Sequence, residues 1–391
     1  MPLQLEVLSR GVERLAAQAS DGAGQQLLEE AQRRLRRVDV EALCTRLRIR
    51  DPRFPWLTAV PTDDTMGAAY SVPLPSPPFS VVATDGSNIP PDRHNPVRFY
   101  VLNVGRATLT YGSRPDARLK ATTHLACEEE ELYLNPGREH IPVDGERLGI
   151  KMAVAELEAL FEAAQEAQPP VLALLDGSLI LWGLQSEERS VQAAFLQEYL
   201  SALGRFREVD IPLASYISYP GGQDVANSLR VSLCQGHSAQ CESCTLPPSE
   251  QELCKFLGTV RDREIFSGLL EAGQRSDIFE STSAILDRYG EHRIQFFYLN
   301  NGDEILRLEA PQWVMRDGGK RDMVHGLVLD QCKRSGGYPA YPPVLQEAHE
   351  QAVISSAERR LVEEMVAQAL AARGIVYIHS AKESSKRRRG V

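Results

Sequence analysis

The sequence has no uninterrupted apolar run of the roughly 18 residues that a bilayer crossing needs; the nearest, residues 171–184, carries Asp176. No membrane-spanning segment is therefore expected. The amino end, MPLQLEVLSRGVERLAAQ, reads as an amphipathic helix charged throughout, without the basic, apolar, small-residue order of a secretory signal. Cysteine is scarce. Seven thiols, an odd number, spread over 391 residues make no disulfide framework, which favours a reducing cytoplasm. Positive charge is also short: 43 Lys and Arg against 53 Asp and Glu, net −10, exclude a general basic coat for unspecific DNA binding. Any nucleic-acid role must be local. The two basic clusters, Arg33, Arg34, Arg36 and Arg37 and residues 386–389, read as a solvated helix face and a tail.

What is present is an ordinary globular composition, 43% hydrophobic and 25% charged. At roughly 150 residues per domain the length allows two or three units, or one large α/β domain with insertions. Residues 3–48 carry two helical patterns separated at Asp21-Gly22, with Leu27, Leu28, Ala31 and Leu35 at helical spacing in the second. A Pro-rich stretch, 52–78, reads as a linker, so residues 1–78 are expected to form an amino-terminal helical extension and linker. The main domain is expected over 79–380, with a basic tail at 381–391.

Within it, Phe79 to Thr84 reads as a core strand ending at Asp85-Gly86-Ser87. Residues 97–104 and 106–111 read as antiparallel strands hinged at Gly105. Residues 145–167 have helical periodicity, and 171–175 is a second apolar strand ending at Asp176-Gly177-Ser178. A helix near 187–206, strands near 209–217 and 294–299, and one long helix over 344–373 complete the reading. The segment 221–290 is an insertion with little legible pattern.

Strand, hairpin, helix, strand implies a mixed sheet in which the fourth strand runs parallel to the first. Both Asp-Gly-Ser turns then lie on one sheet edge, where open sheets bind ligands. Two strand-end carboxylates repel unless a cation joins them, and all-oxygen donors favour a hard ion such as Mg²⁺ or Mn²⁺. The glycines permit a sharp exit, and Ser87 and Ser178 are candidates to orient the carboxylates. On the helix, Met152, Ala153, Val154, Leu157, Leu160 and Phe161 mark the buried arc. Glu156 falls inside it and Glu158 just outside. Further along, Tyr341-Pro342-Pro343 leads to His349, which begins a ridge with Val353, Ala357 and Leu361 and is expected to face protein. A neutral imidazole there can bind Mn²⁺ or carry a proton, and Tyr341 can donate to a phosphate; Tyr338 is the competing tyrosine.

ATDGSNI, LLDGSLI and YPPVLQEAH, in this order and spacing, resemble the NurA family of DNA-end-processing nucleases over roughly residues 79–360. The resemblance implies an RNase H-like mixed β-sheet flanked by helices, Mn²⁺ as the metal, a homodimer, and a hexameric HerA-type ATPase translocase as partner. By position it makes Asp85, Glu156 and Asp176 metal ligands, His349 a further ligand or acid–base group, and Tyr341 a substrate contact. The implied activity is a metal-dependent 5′ to 3′ exonuclease and single-strand endonuclease in double-strand-break processing. Phosphodiester hydrolysis suits these residues, since carboxylate-held cations activate water and neutralise the phosphate. Arg98, Arg106, Arg230, Arg275 and Arg307 are candidates to line a DNA channel.

Cys234, Cys241, Cys244 and Cys254, with His237 among them, place four of the seven cysteines within 21 residues, a candidate zinc or iron–sulfur site whose 6, 2, 9 spacing matches no strong template. Two other functions fit parts of the pattern. A phosphotransferase of actin-like architecture also uses Asp-Gly turns around phosphates, but an adenosine-site glycine motif is missing. A non-catalytic DNA-binding scaffold would rest on the cysteine loop.

Overall fold

The computed structural model describes residues 22–49, 56–93, 95–134, 140–234 and 244–375, with positions 5, 8, 9 and 11–13 of the amino-terminal segment. In chain order its elements begin with helices α1 (Gly22–Leu35) and α2 (Val40–Ile49), then strands β1 (Ala59–Pro61), β2 (Phe79–Ile89), β3 (Tyr100–Tyr111) and β4 (Asp116–Ala126). Next come α3 (Glu129–Leu132), β5 (Tyr133–Leu134), β6 (Ile141–Pro142), α4 (Gly145–Glu166), β7 (Val171–Asp176), α5 (Arg189–Glu208) and β8 (Leu213–Ile217). Helices α6 (Asp224–Leu233), α7 (Pro248–Leu257) and α8 (Asp262–Ser267) precede β9 (Phe279–Ser281), β10 (Ile294–Asn300) and β11 (Ile305–Pro311). The chain closes with α9 (Gln312–Met315), α10 (Gly318–Arg334), α11 (Pro343–Ala352) and α12 (Ser356–Ala371).

These elements form two compact units, one of residues 1–71, 218–282 and 297–307, the other of 72–217, 283–296 and 308–391. In the first unit β1 pairs antiparallel with β9, and the Ser228 hydroxyl of α6 joins Ala59 through both backbone groups. A buried polar cluster holds the start of α6. Asp262 accepts from the backbone N–H groups of Val225 and Ala226 and from the Tyr298 hydroxyl, satisfying donors that a helix start leaves open. Asp224 beside it is paired with Arg307 at 2.8 Å, both side chains being almost fully buried.

The second unit has a mixed sheet in which β8-β7-β2-β3-β4 lie in that order. Strands β2, β3 and β4 are an antiparallel meander, and β7 and β8 continue parallel to β2. This is the strand arrangement of an RNase H-like fold. Strand β7 is covered on both faces, which is why Val171 to Leu175 is apolar without alternation. Helix α4 turns Leu148, Met152, Leu157, Leu160 and Phe161 into the main core, where Phe195, Tyr199 and Phe206 of α5 join them. Helix α11 packs over β2 and β3.

The structure departs from the sequence expectations in four places. First, β2 does not end at Asp85: pairing with β7 stops at Thr84, but pairing with β3 carries the strand on to Ile89. Second, the expected hinge at Gly105 is the middle of one continuous strand, β3, because the glycine serves a neighbour and makes no turn. A side chain there would collide with the backbone of Ala348 and Ala352 in α11. Third, β4 was unexpected. It is exposed along nearly its whole length, although Ala117, Leu119, Ala121 and Leu125 alternate with the polar residues of DARLKATTHLA.

Fourth, the expected long helix is two. Asn103 Nδ2 donates to the Ala352 carbonyl at 2.8 Å and so closes the end of α11, while Ser355 and Glu358 form a capping box that starts α12. The ridge from His349 is therefore broken, and Val353 and Leu361 are exposed instead of facing protein.

Candidate active site

Successive side chains of a strand point to opposite faces, and this alternation distributes the acids. Thr84 and Gly86 face α4: Thr84 Oγ1 donates to the Glu156 carbonyl at 3.0 Å, and a Cβ on Gly86 would collide with Glu156 Oε1 and Met152 Sδ. The bare glycine thus leaves room for the Glu156 carboxylate against the β2 backbone. Asp85 faces the other way, towards α11. Its direct partner in β3 is Gly105, whose missing side chain lets α11 lie close enough for His349 Nδ1 to reach Asp85 Oδ2 at 2.6 Å. The imidazole does not face protein as expected; its side chain is 57% exposed, with one nitrogen engaged by Asp85.

Asp176 ends β7. Because Thr84 and Leu175 are register partners, the residues that follow them, Asp85 and Asp176, stand side by side on strands about 4.8 Å apart. The Tyr341 hydroxyl donates to Asp176 Oδ2 at 3.0 Å, and its ring meets that of buried Tyr216 edge-on. Tyr338 is 85% exposed and Glu158 is exposed, so of the two alternatives in each case it is Tyr341 and Glu156 that stand among these acids.

A carboxylate beside other negative charges binds its proton more tightly. Burial, with the charges of Asp85 and Asp176, pushes the Glu156 carboxyl up to about 8. Burial likewise raises Asp176, offset in part by the Tyr341 hydrogen bond and reinforced by Asp85. Burial and the Asp176 charge raise Tyr341 far above an ordinary phenol, so it stays a donor. No hydrogen bond reaches the Glu156 carboxylate among the described residues. Nor, among them, do three His, Cys, Asp or Glu side chains already enclose a position for a metal ion. The donor set nevertheless fits a hard divalent cation: it is all oxygen and one nitrogen, and it carries repulsion that such a charge would remove.

The other sequence candidates fall elsewhere. Ser178 does not orient Asp176; its hydroxyl donates to Glu309 Oε2 at 2.9 Å. Arg98 pairs with Asp144, Arg106 with Glu162 and Arg307 with Asp224. Arg230 covers the Trp56 ring and buried Arg275 the Tyr70 ring. All five arginines engage their own chain. Cys241 and His237 lie outside the described residues, while Cys234, Cys244 and Cys254 carry free thiols. Sequence reasoning missed Gly105, Asn103 and Glu309; only the glycine left a signal, and it resembled a turn.

Fold and site together define an acidic centre at the carboxyl ends of parallel strands in an RNase H-like sheet. The NurA domain model matches residues 79–354, and the chain belongs to that family. Among solved structures it is similar to the NurA nuclease from Sulfolobus solfataricus, 13% identical over 78% of this chain and 88% of that one, with a TM-score of 0.48. It is also similar to LC9-RNase H1, a type 1 RNase H with the type 2 active-site motif, at 12% identity over 41% and 71% and a TM-score of 0.22. No curated protein sequence matches.

Proposed function

We propose that this chain is a metal-dependent DNA nuclease. The observation that carries the reading is the gathering of Asp85, Glu156 and Asp176, with the Glu156 carboxyl pushed up to about 8 and no basic side chain bonded to it among the described residues. Asp85, Glu156 and Asp176 would hold Mn²⁺, or Mg²⁺, with His349 as a further ligand or acid–base group. A cation bound there supplies an activated water and positive charge beside the phosphate.

The chain's own residues do the rest. Asp85 fixes the imidazole through Nδ1, leaving Nε2 as the atom able to take or give a proton. Tyr341 keeps its proton, steadies Asp176 and presents its oxygen to substrate. Family membership supports the finer reading: 5′ to 3′ exonuclease and single-strand endonuclease activity, a homodimer, a HerA-type hexameric translocase, and break-end processing in the cytoplasm.

The test is direct. Purified protein with Mn²⁺ should degrade labelled single- and double-stranded DNA, and Asp85→Ala should not; intact DNA with wild type would end the proposal.

A further inference from the structure

Six residues beyond Asp176, Trp182 begins a short 3₁₀ turn with its indole partly exposed and partly packed on the main core. Its ring nitrogen donates to Ser178 Oγ at 3.0 Å. That hydroxyl accepts a second bond from the Ile180 N–H and donates its own proton to Glu309 Oε2. Glu309, 1% exposed on β11, also accepts from the Leu179 N–H at 2.9 Å. The hydroxyls of Tyr199 in α5 and of Tyr289, ahead of β10, donate to the Leu179 carbonyl, each at 3.1 Å. The segment that leaves Asp176 is thus fixed by buried groups from three distant parts of the chain, and the last member of the relay is the indole.

We propose that Trp182 is a base-stacking platform for a single nucleic acid strand at the acidic centre, with Glu309 and Ser178 as residues that position it. The inference rests on the nuclease reading and names what the site would grip. Phosphates are poorly attracted by a chain of net charge −10, whose Arg98 and Arg106 are already engaged by Asp144 and Glu162. Stacking draws on the π-face of the base, which every base has, so it holds a strand without sequence preference. An indole locked by its N–H loses little freedom when a base arrives.

The probe is a short oligothymidylate, titrated with chelator present so that binding is read without turnover. In wild type it should quench tryptophan fluorescence. Trp182→Phe should bind within about threefold of wild type, while Trp182→Ala should bind about tenfold more weakly. With the metal restored, Trp182→Ala should raise KM for single strands by a similar factor and leave kcat within about twofold. Ser178→Ala should weaken binding in wild type but add nothing in the Trp182→Ala background, which a merely structural serine would not do. Wild-type binding by Trp182→Ala, or an equal cost of Ser178→Ala in both backgrounds, would overturn the proposal. If Trp182→Ala cuts single strands as wild type does, the platform fails and the nuclease reading stands. If wild type neither binds nor cuts, both fall.

Discussion

Asp224 and Asp262 in the first unit and Asp85, Glu156 and Asp176 in the second are both groups of carboxylates packed together in this chain. In each, burial and a neighbouring acid drive one member upward, Asp262 to about 7 and Glu156 to about 8. The first group is closed by its own chain: Arg307 neutralises Asp224, and two backbone N–H groups and the Tyr298 hydroxyl satisfy Asp262. In the second, the side-chain partners of Asp85 and Asp176 among the described residues are an imidazole and a phenol, and Glu156 has no side-chain hydrogen bond among them. A buried acid cluster completed internally is architecture, whereas one left short of positive charge asks for a cation from outside.

The largest test of that contrast exchanges a charge in each group. Asp176→Asn should lower DNA hydrolysis by at least 10²- to 10³-fold, on the scale of losing one electrostatic contact to a transition state, while leaving denaturant stability unchanged or raised. Arg307→Ala should do the reverse, costing about 3–5 kcal/mol of stability because it strands a buried carboxylate. Rates and urea midpoints measured on the two variants separate the groups, and a stability loss in Asp176→Asn matching that of Arg307→Ala would erase the distinction.

A smaller effect concerns protons. Without a cation Glu156 keeps its proton at neutral pH, so cation binding must expel it, and affinity should fall as pH drops from about 8 to 6. Calorimetry in buffers of different ionisation enthalpy should report proton release in wild type and less in Glu156→Gln; equal release would exclude Glu156 as the source.

The smallest effect lies in the first unit. Folded Asp262 holds its proton up to about pH 7, whereas an unfolded chain releases it near its ordinary value of 3.8. The folded state binds more protons across that window, so stability should decline as pH rises through it. Asp262→Asn should flatten this slope in chemical denaturation at several pH values, and an unchanged slope would mean that other groups set it.

Much of the second group was legible in the sequence because its signals are local. Apolar runs ending in Asp-Gly-Ser and a glutamate inside a helical arc need no knowledge of the fold. What escaped depends on contacts between distant residues. Gly105 looks like a hinge unless one knows that α11 lies on it, and Asn103 looks like any polar strand residue until it meets the carbonyl of Ala352, 249 positions on. Glu309 carries no motif, since its partners Ser178 and Leu179 are separated from it by 131 and 130 positions. The first unit was legible mainly in the helical pattern of its amino-terminal segment, because residues 1–71 find their partners in 218–282, whose three helices were not read from the sequence.

The most direct measurement is a crystal soaked in Mn²⁺ and examined for anomalous scattering. A peak bounded by Asp85, Glu156 and Asp176, lost in Asp85→Asn crystals, is the predicted result. Full occupancy at other residues with that position empty, in crystals of protein that still cuts DNA, would contradict it.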